Sequence, residues 1–200
     1  MAGKLDSLER VEVTNRAQWR AWLKKHHRRS EGIWLVTWKK ATPAKHVGWD
    51  AVVEEALCFG WIDSLPRKLD ERRTMLYVSP RKPKSVWSRM NKERIARLEA
   101  AGRMAEAGQK AIETAKANGS WTAIDAAEAM DIPADLLGAL LSNKKALKHY
   151  DAFPQGARRQ IISWVLGAKT DATRARRIAT VVNLAAQNVR ANGQTTKRTP

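Results

Sequence analysis

One cysteine in 200 residues removes several classes of site at once. Cys58 has no second cysteine for an intramolecular disulfide, and a multi-cysteine zinc centre is excluded, so the chain reads as a protein of a reducing compartment. At the end of an apolar helical stretch it reads as a packed side chain rather than a nucleophile. The four histidines, two of them adjacent at His26 and His27, show no metal-ligand spacing. There is no glycine-rich phosphate loop, no Ser-His-Asp order and no carboxylate-histidine metal motif, and neither metal nor cofactor is expected. The N-terminus lacks the apolar core of a signal peptide and no run approaches a membrane span, which predicts a cytoplasmic protein. Acidic side chains are scarce, 20 Asp and Glu against 37 Lys and Arg, and the net charge of +17 favours anionic partners through long-range attraction. The same charge makes the chain a poor direct receptor for cationic peptides. The excess divides as 22 basic and 12 acidic residues in the first hundred positions and 15 and 8 in the second, which argues against a dedicated nucleic-acid tail.

What the sequence does contain is concentrated between Glu55 and Leu98, the one stretch where aromatic, acidic, basic and small polar residues mix without helical or strand period. Residues 60–65 alternate, placing Trp61, Asp63 and Leu65 on one face of a strand and Ile62 and Ser64 on the other. A carboxylate between two apolar side chains needs a partner or a raised pKa. Asp70 and Glu71 mark a polar turn, residues 74–79 the return strand of a hairpin, and Pro66 an edge position, because proline cannot donate to a ladder.

Pro80 and Pro83 break the chain, and Ser85 is expected to cap a helix that begins with Val86 and Trp87. Helical phase puts Trp87, Met90, Leu98 and Ala101 on its apolar face, together with the polar Asn91 and Arg94. Arg94 is expected to pair with Asp63 or Asp70, either as a structural staple between helix and hairpin or as a pocket wall. Arg81, Lys82 and Lys84 precede a helix N-terminus, where the macrodipole already favours an anion; the competing reading is a solvated basic loop. The candidate ligand site is therefore Trp61, Asp63, Asp70, Arg81, Lys84, Ser85, Trp87, Asn91 and Arg94. Asp63 is the candidate acid or base should the site be catalytic.

The segments ALCFGWIDS, SPRKPKSVWSRMN and RIARL, with Asp70 between them, resemble the YdeI/OmpD-associated or bacteriocin-protection family. Arg158-Arg159 and WVLGAKTDATRARRI resemble the C-terminal helical module of the same family. The resemblance implies a bacterial protein linked to an outer-membrane porin and to resistance against cationic antimicrobial peptides, and carries no accepted reaction.

Residues 10–13 suggest a short strand, and Asn15 with Gln18 a capping pair for a helix with Trp19, Trp22, Leu23 and His26 on one face. His26 reads as a core-edge histidine rather than a base. Residues 32–38 are apolar on both faces, as in a central strand covered on two sides. Next comes an amphipathic helix burying Trp49, Val52, Val53 and Ala56. Seven of the nine tryptophans lie between Trp19 and Trp87. Trp19, Trp22, Trp49 and Trp87 fall at core-facing helical positions, whereas Trp34, Trp38 and Trp61 are open to a stacking role.

Beyond Gly102 the composition turns helical. One helix over residues 104–117 is ended by Asn118-Gly119, Ser120 caps another, and Pro133 and Pro154 open two more. Gly167 stops the helix bearing Ile161, Ile162, Trp164 and Val165, and Thr170 or Asp171 caps the last. Its Arg174, Arg176 and Arg177 would be the contacts of a helix-turn-helix, the nucleic-acid alternative. The fold class is α+β: a small antiparallel sheet with packed helices over residues 1–103, a helical module over 104–193 and a frayed tail over 194–200. With the family resemblance, the function expected is a stress- or antimicrobial-peptide-resistance-associated protein that binds a small anionic ligand, with nucleic-acid binding and an enzyme acting on a small anionic substrate as alternatives.

Overall fold

The computed structural model describes residues 5–191, and the tail expected at 194–200 lies outside them. The chain forms two compact units, Met1–Thr122 and Ala123–Pro200. Among the described residues no helix is long and apolar enough to cross a membrane.

The first unit contains β1 (Arg10–Glu12), α1 (Arg16–His26), β2 (Ile33–Trp38), α2 (Trp49–Cys58), β3 (Trp61–Lys68), β4 (Arg73–Pro80), α3 (Arg89–Ala100) and α4 (Glu106–Ala117). The strands form one sheet in the order β1-β2-β4-β3. β2 is central and apolar on both faces, as its composition predicts. Ile33 and Leu35 enter the core beneath the helices, while Trp34 and Val36 meet Met75 on the opposite face. The β3–β4 and β2–β4 pairings are antiparallel, but β1 pairs with β2 in parallel. The sheet is thus mixed, because α1 carries the chain back across it and a helical crossover joins parallel strands. β3 is an edge strand, in keeping with Pro66, and its register shifts between Asp63 and Pro66. That irregularity breaks the strict alternation expected there and leaves Leu65 exposed.

Asn15 caps α1 by accepting from the Gln18 amide at 2.9 Å, while the Gln18 side chain accepts from the Thr14 amide. Trp19 is fully buried and its indole donates to the Val52 carbonyl at 3.0 Å, which locks α1 against α2. In α3 the cap is Ser88 rather than Ser85, so the helix starts two residues beyond Trp87. Its buried residues are Arg94, Ile95 and Leu98, with Met90 turned outward. Trp49, expected inside, is half-exposed, since it is the first residue of α2 and projects beyond the core.

Helix α4 adds Ile112 and Ala115 to the first core, so this compact unit runs past residue 103. Gly108 makes the close approach: a Cβ built there would lie 2.3 Å from the Cys58 carbonyl oxygen. Ser120 caps no helix; with Asn118 it donates to the Pro83 carbonyl.

The second unit contains α5 (Asp125–Glu128), α6 (Ala134–Leu141), α7 (Lys144–Ala152), α8 (Gln155–Leu166) and α9 (Asp171–Ala186). Its core joins Leu136, Leu140, Tyr150, Ile161, Val165 and Val181. Gly167 follows α8 directly, and Thr170 caps α9 by accepting from the Thr173 amide at 3.2 Å.

Candidate anion-binding cleft

Beyond β4 the Arg81 amide bonds the Gly60 carbonyl at 2.9 Å, which prolongs the β3–β4 pairing by one step. The chain then turns, Ser85 amide to Lys82 carbonyl at 2.9 Å, and buries Trp87. The Arg81 guanidinium lies over that indole, its Cζ 3.5 Å from the ring centroid. Nη1 donates to the Val86 carbonyl at 3.1 Å, but Nε and Nη2 are buried without a protein partner. Burial pulls the Arg81 pKa down to about 10, and the charge of Asp63 opposes that shift without forming an ion pair.

Arg81 lines a cavity of about 260 Å³ with Lys82, Trp87 and Lys110, and a second of about 750 Å³ adjoins it. Both are walled by His27, Phe59, Ala107 and Lys110, and the larger adds Arg20, Lys24, Arg28 and Glu106. The first turn of α4 closes one side. Its cap position, Ala105, offers no side-chain acceptor, so the positive end of the helix faces the cleft with only Glu106 to offset it. Gly60, at φ +73°, admits this arrangement because a Cβ there would sit 3.0 Å from the Ala107 carbonyl. Lys24, Arg28, Lys82 and Lys110 form no ion pair among the described residues.

Two interactions behind the cleft set its shape. Trp61 is fully buried and donates from Nε1 to the His27 carbonyl at 3.0 Å, while His27 Nδ1 meets the Leu23 carbonyl at 3.1 Å. A carbonyl only accepts, so Nδ1 is the donor and Nε2 is the ring nitrogen left open. Glu55, fully buried in α2, accepts from Arg16 at 2.5 Å, from Arg20 at 2.6 Å and from Arg103. Arg20 also donates to the Arg103 carbonyl and stacks 5.4 Å above Phe59, tying the cleft wall to its floor. Cys58 is buried, and burial raises its thiol pKa.

Of the residues singled out from sequence, Arg81 and Trp87 come together in the cleft and Trp61 supports it. Asp63 is half-buried and lines neither cavity. Asp70 holds the β3–β4 turn by accepting from the Arg72 and Arg73 amides and from the Arg73 side chain, which lowers its pKa. Arg94 pairs with neither Asp63 nor Asp70. Because α3 packs on α2, its partners are Asp50 at 2.7 Å and Asn91 at 3.1 Å, with Trp49 4.9 Å beneath the guanidinium. Lys84 is exposed and Ser85 half-buried in the loop turn, and neither lines the cleft. Sequence reading missed Lys24, His27, Arg28 and Lys110. The one signal was the basic run closing α1, whose phase alone did not say what it faced.

In the second unit Arg174 makes a two-pronged pair with Asp135, at 2.6 and 2.9 Å. Arg177 donates to the Trp164 carbonyl and lies over that indole, which leaves Arg176 as the exposed member of the trio. Among the described residues no cluster of His, Cys, Asp and Glu could hold a metal.

Comparison with known proteins returns two family matches. Residues 11–111 match a domain of unknown function, DUF8412, and residues 129–188 match the family described as Bacteriocin-protection, YdeI or OmpD-Associated. The second match contains the Arg158-Arg159 and WVLGAKTDATRARRI segments, whereas ALCFGWIDS and its neighbours fall in the first. No curated protein and no solved structure matches the chain. With half of its length in the first match and its helical unit in the second, the chain belongs to the DUF8412 family and carries a bacteriocin-protection, YdeI or OmpD-associated domain.

Proposed function

We propose that the first unit binds a small phosphate- or carboxylate-bearing ligand in the cleft between the end of α1, the 81–87 loop and the start of α4. The observation that carries this reading is Arg81, a buried guanidinium with two nitrogens unpartnered at the wall of a cavity whose other charged lining is Lys82 and Lys110 and which holds no carboxylate. An uncompensated buried charge is costly, and an anion supplies the missing counter-charge. A planar fork, which Arg28 also offers, grips two oxygens at once, while Lys24, Lys82 and Lys110 act as point charges. The role in bacteriocin protection that the C-terminal match names would then be exercised through an anionic metabolite rather than through the cationic peptide, which the net charge of +17 repels. A cytoplasmic setting belongs to the same proposal and is supported by the lone, buried Cys58.

The test is a thermal-shift titration with inorganic phosphate, pyrophosphate, nucleotides and citrate at low ionic strength. Ligands that bind the folded state raise the melting temperature with the logarithm of their concentration. Arg81→Met should abolish the shift and Lys110→Ala should weaken it by about tenfold in apparent affinity. An Arg81→Met protein that folds and responds like wild type would falsify the proposal.

A further inference from the structure

The first unit contains a second recess of different chemistry, between the sheet and the start of α2. It has a volume of about 350 Å³ and is walled by Trp38, His46, Val47, Trp49, Met75 and Leu76, with Lys39 and Lys40 also lining it. No carboxylate lines it, and it shares no residue with the cleft described above.

Its walls are held in place. Trp38 lines it from the strand and turns its ring to the other face of the sheet, where Nε1 donates to Glu12 at 2.9 Å and Lys45, Arg72 and Arg73 lie 4.8 to 5.7 Å from the ring centroid. His46 Nδ1 meets the Trp38 carbonyl at 2.7 Å, which pins the 3-10 turn Pro43–Lys45 to the end of β2 and leaves Nε2 as the open ring nitrogen. Trp49 and Val52, one turn apart on α2, close the side opposite the sheet. Trp49 is 49% exposed although it heads an otherwise well-buried helix. An indole left half in water at the mouth of an apolar recess has contact area to gain from a ligand.

We propose that this recess is a small-molecule site for a flat aromatic carboxylate. The ring system enters beside Trp49, against Val47, Val52 and Leu76, and the acid stays at the mouth, which Lys40 and His46 line. The volume lies at the low end for ligand pockets, which suits one or two fused rings and excludes a nucleotide. Lys39 is occupied by the Asp70 and Glu71 carbonyls at 3.1 Å each, whereas Lys40 is exposed and forms no ion pair among the described residues. Lys40 is therefore the cation available to the acid.

The experiment is isothermal titration calorimetry with indole-3-acetate and 1-naphthoate as probes, and indole and acetate as controls. At least one aromatic acid should bind, with indole about tenfold weaker or worse and acetate silent. Trp49→Phe, which keeps an aromatic face beneath Arg94 but shortens the wall of the recess, and Lys40→Glu should each weaken the probe by about tenfold. Arg81→Met should leave it unchanged, which separates this site from the anion cleft. Absence of heat with both probes overturns the proposal. Equal binding of indole overturns the acid's part in it, and loss in Arg81→Met with none in the two recess variants overturns the location.

Discussion

Arg94 Nη2 donates to Asp50 Oδ1 at 2.7 Å, joining a side chain only 7% exposed to one that is 74% exposed. The charge on the buried partner thus depends on a carboxylate standing in solvent at the first turn of α2. Asp50→Asn should lower stability by about 1–3 kcal/mol, because the guanidinium stays buried with only Asn91 and the face of Trp49. Arg94→Leu, which removes the charge as well, should cost less. Urea denaturation of the two variants checks the order, and a larger loss for Arg94→Leu would refute it.

Glu55 supports three arginines from complete burial. Glu55→Gln keeps the shape but removes the one counter-charge they share, so a loss of about 3–5 kcal/mol is expected. The measurement is the guanidinium chloride midpoint at constant slope.

Arg81 carries a cost that should be visible in the absence of ligand. Its folded-state pKa of about 10 lies below the ordinary arginine value, so the unfolded chain holds the proton more tightly. The charge therefore opposes folding throughout the neutral range, and the cost is relieved only as pH rises through about 10 towards the ordinary arginine range. At pH 7 Arg81→Met should match or exceed wild-type stability by up to about 2 kcal/mol in anion-free buffer, the lost bond to Val86 offsetting part of the gain. Added pyrophosphate should reverse that order. Melting temperatures of both proteins with and without pyrophosphate decide it.

Gly108→Ala places a methyl 2.3 Å from the Cys58 carbonyl, so α4 must move away from α2. A cost of about 1–3 kcal/mol is expected from such overpacking, together with weaker anion binding, because Ala107 and Lys110 ride on the same helix. Denaturation and the phosphate titration, run on one preparation, test both halves.

Local physics made much of this protein readable in the sequence. The doubly apolar run Ile33–Trp38 is the central strand, Pro66 lies on the edge strand, Asn15 and Thr170 cap their helices, and Gly167 ends α8. Each of these depends on neighbours within a few residues. The inward phase of Arg94 and the special character of Arg81 and Trp87 were legible for the same reason. Partner choice was not: helical phase says that Arg94 is buried, but only the packing of α3 on α2 makes Asp50 its partner rather than Asp63 or Asp70. Trp49 carries the pattern of a core residue, yet its place at the first turn of α2 leaves it half in water. The parallel pairing of β1 and the recruitment of α4 into the first core were likewise decided by contacts across long stretches of chain. The cationic cleft belongs to that second kind. Its cations come from the end of α1, the 81–87 loop and the start of α4, segments tens of residues apart. Sequence determined that positive charge would be plentiful; tertiary structure alone decided which of it would converge, because like charges are brought together only where packing, here Glu55, Trp61 and Gly108, forces their backbones into contact.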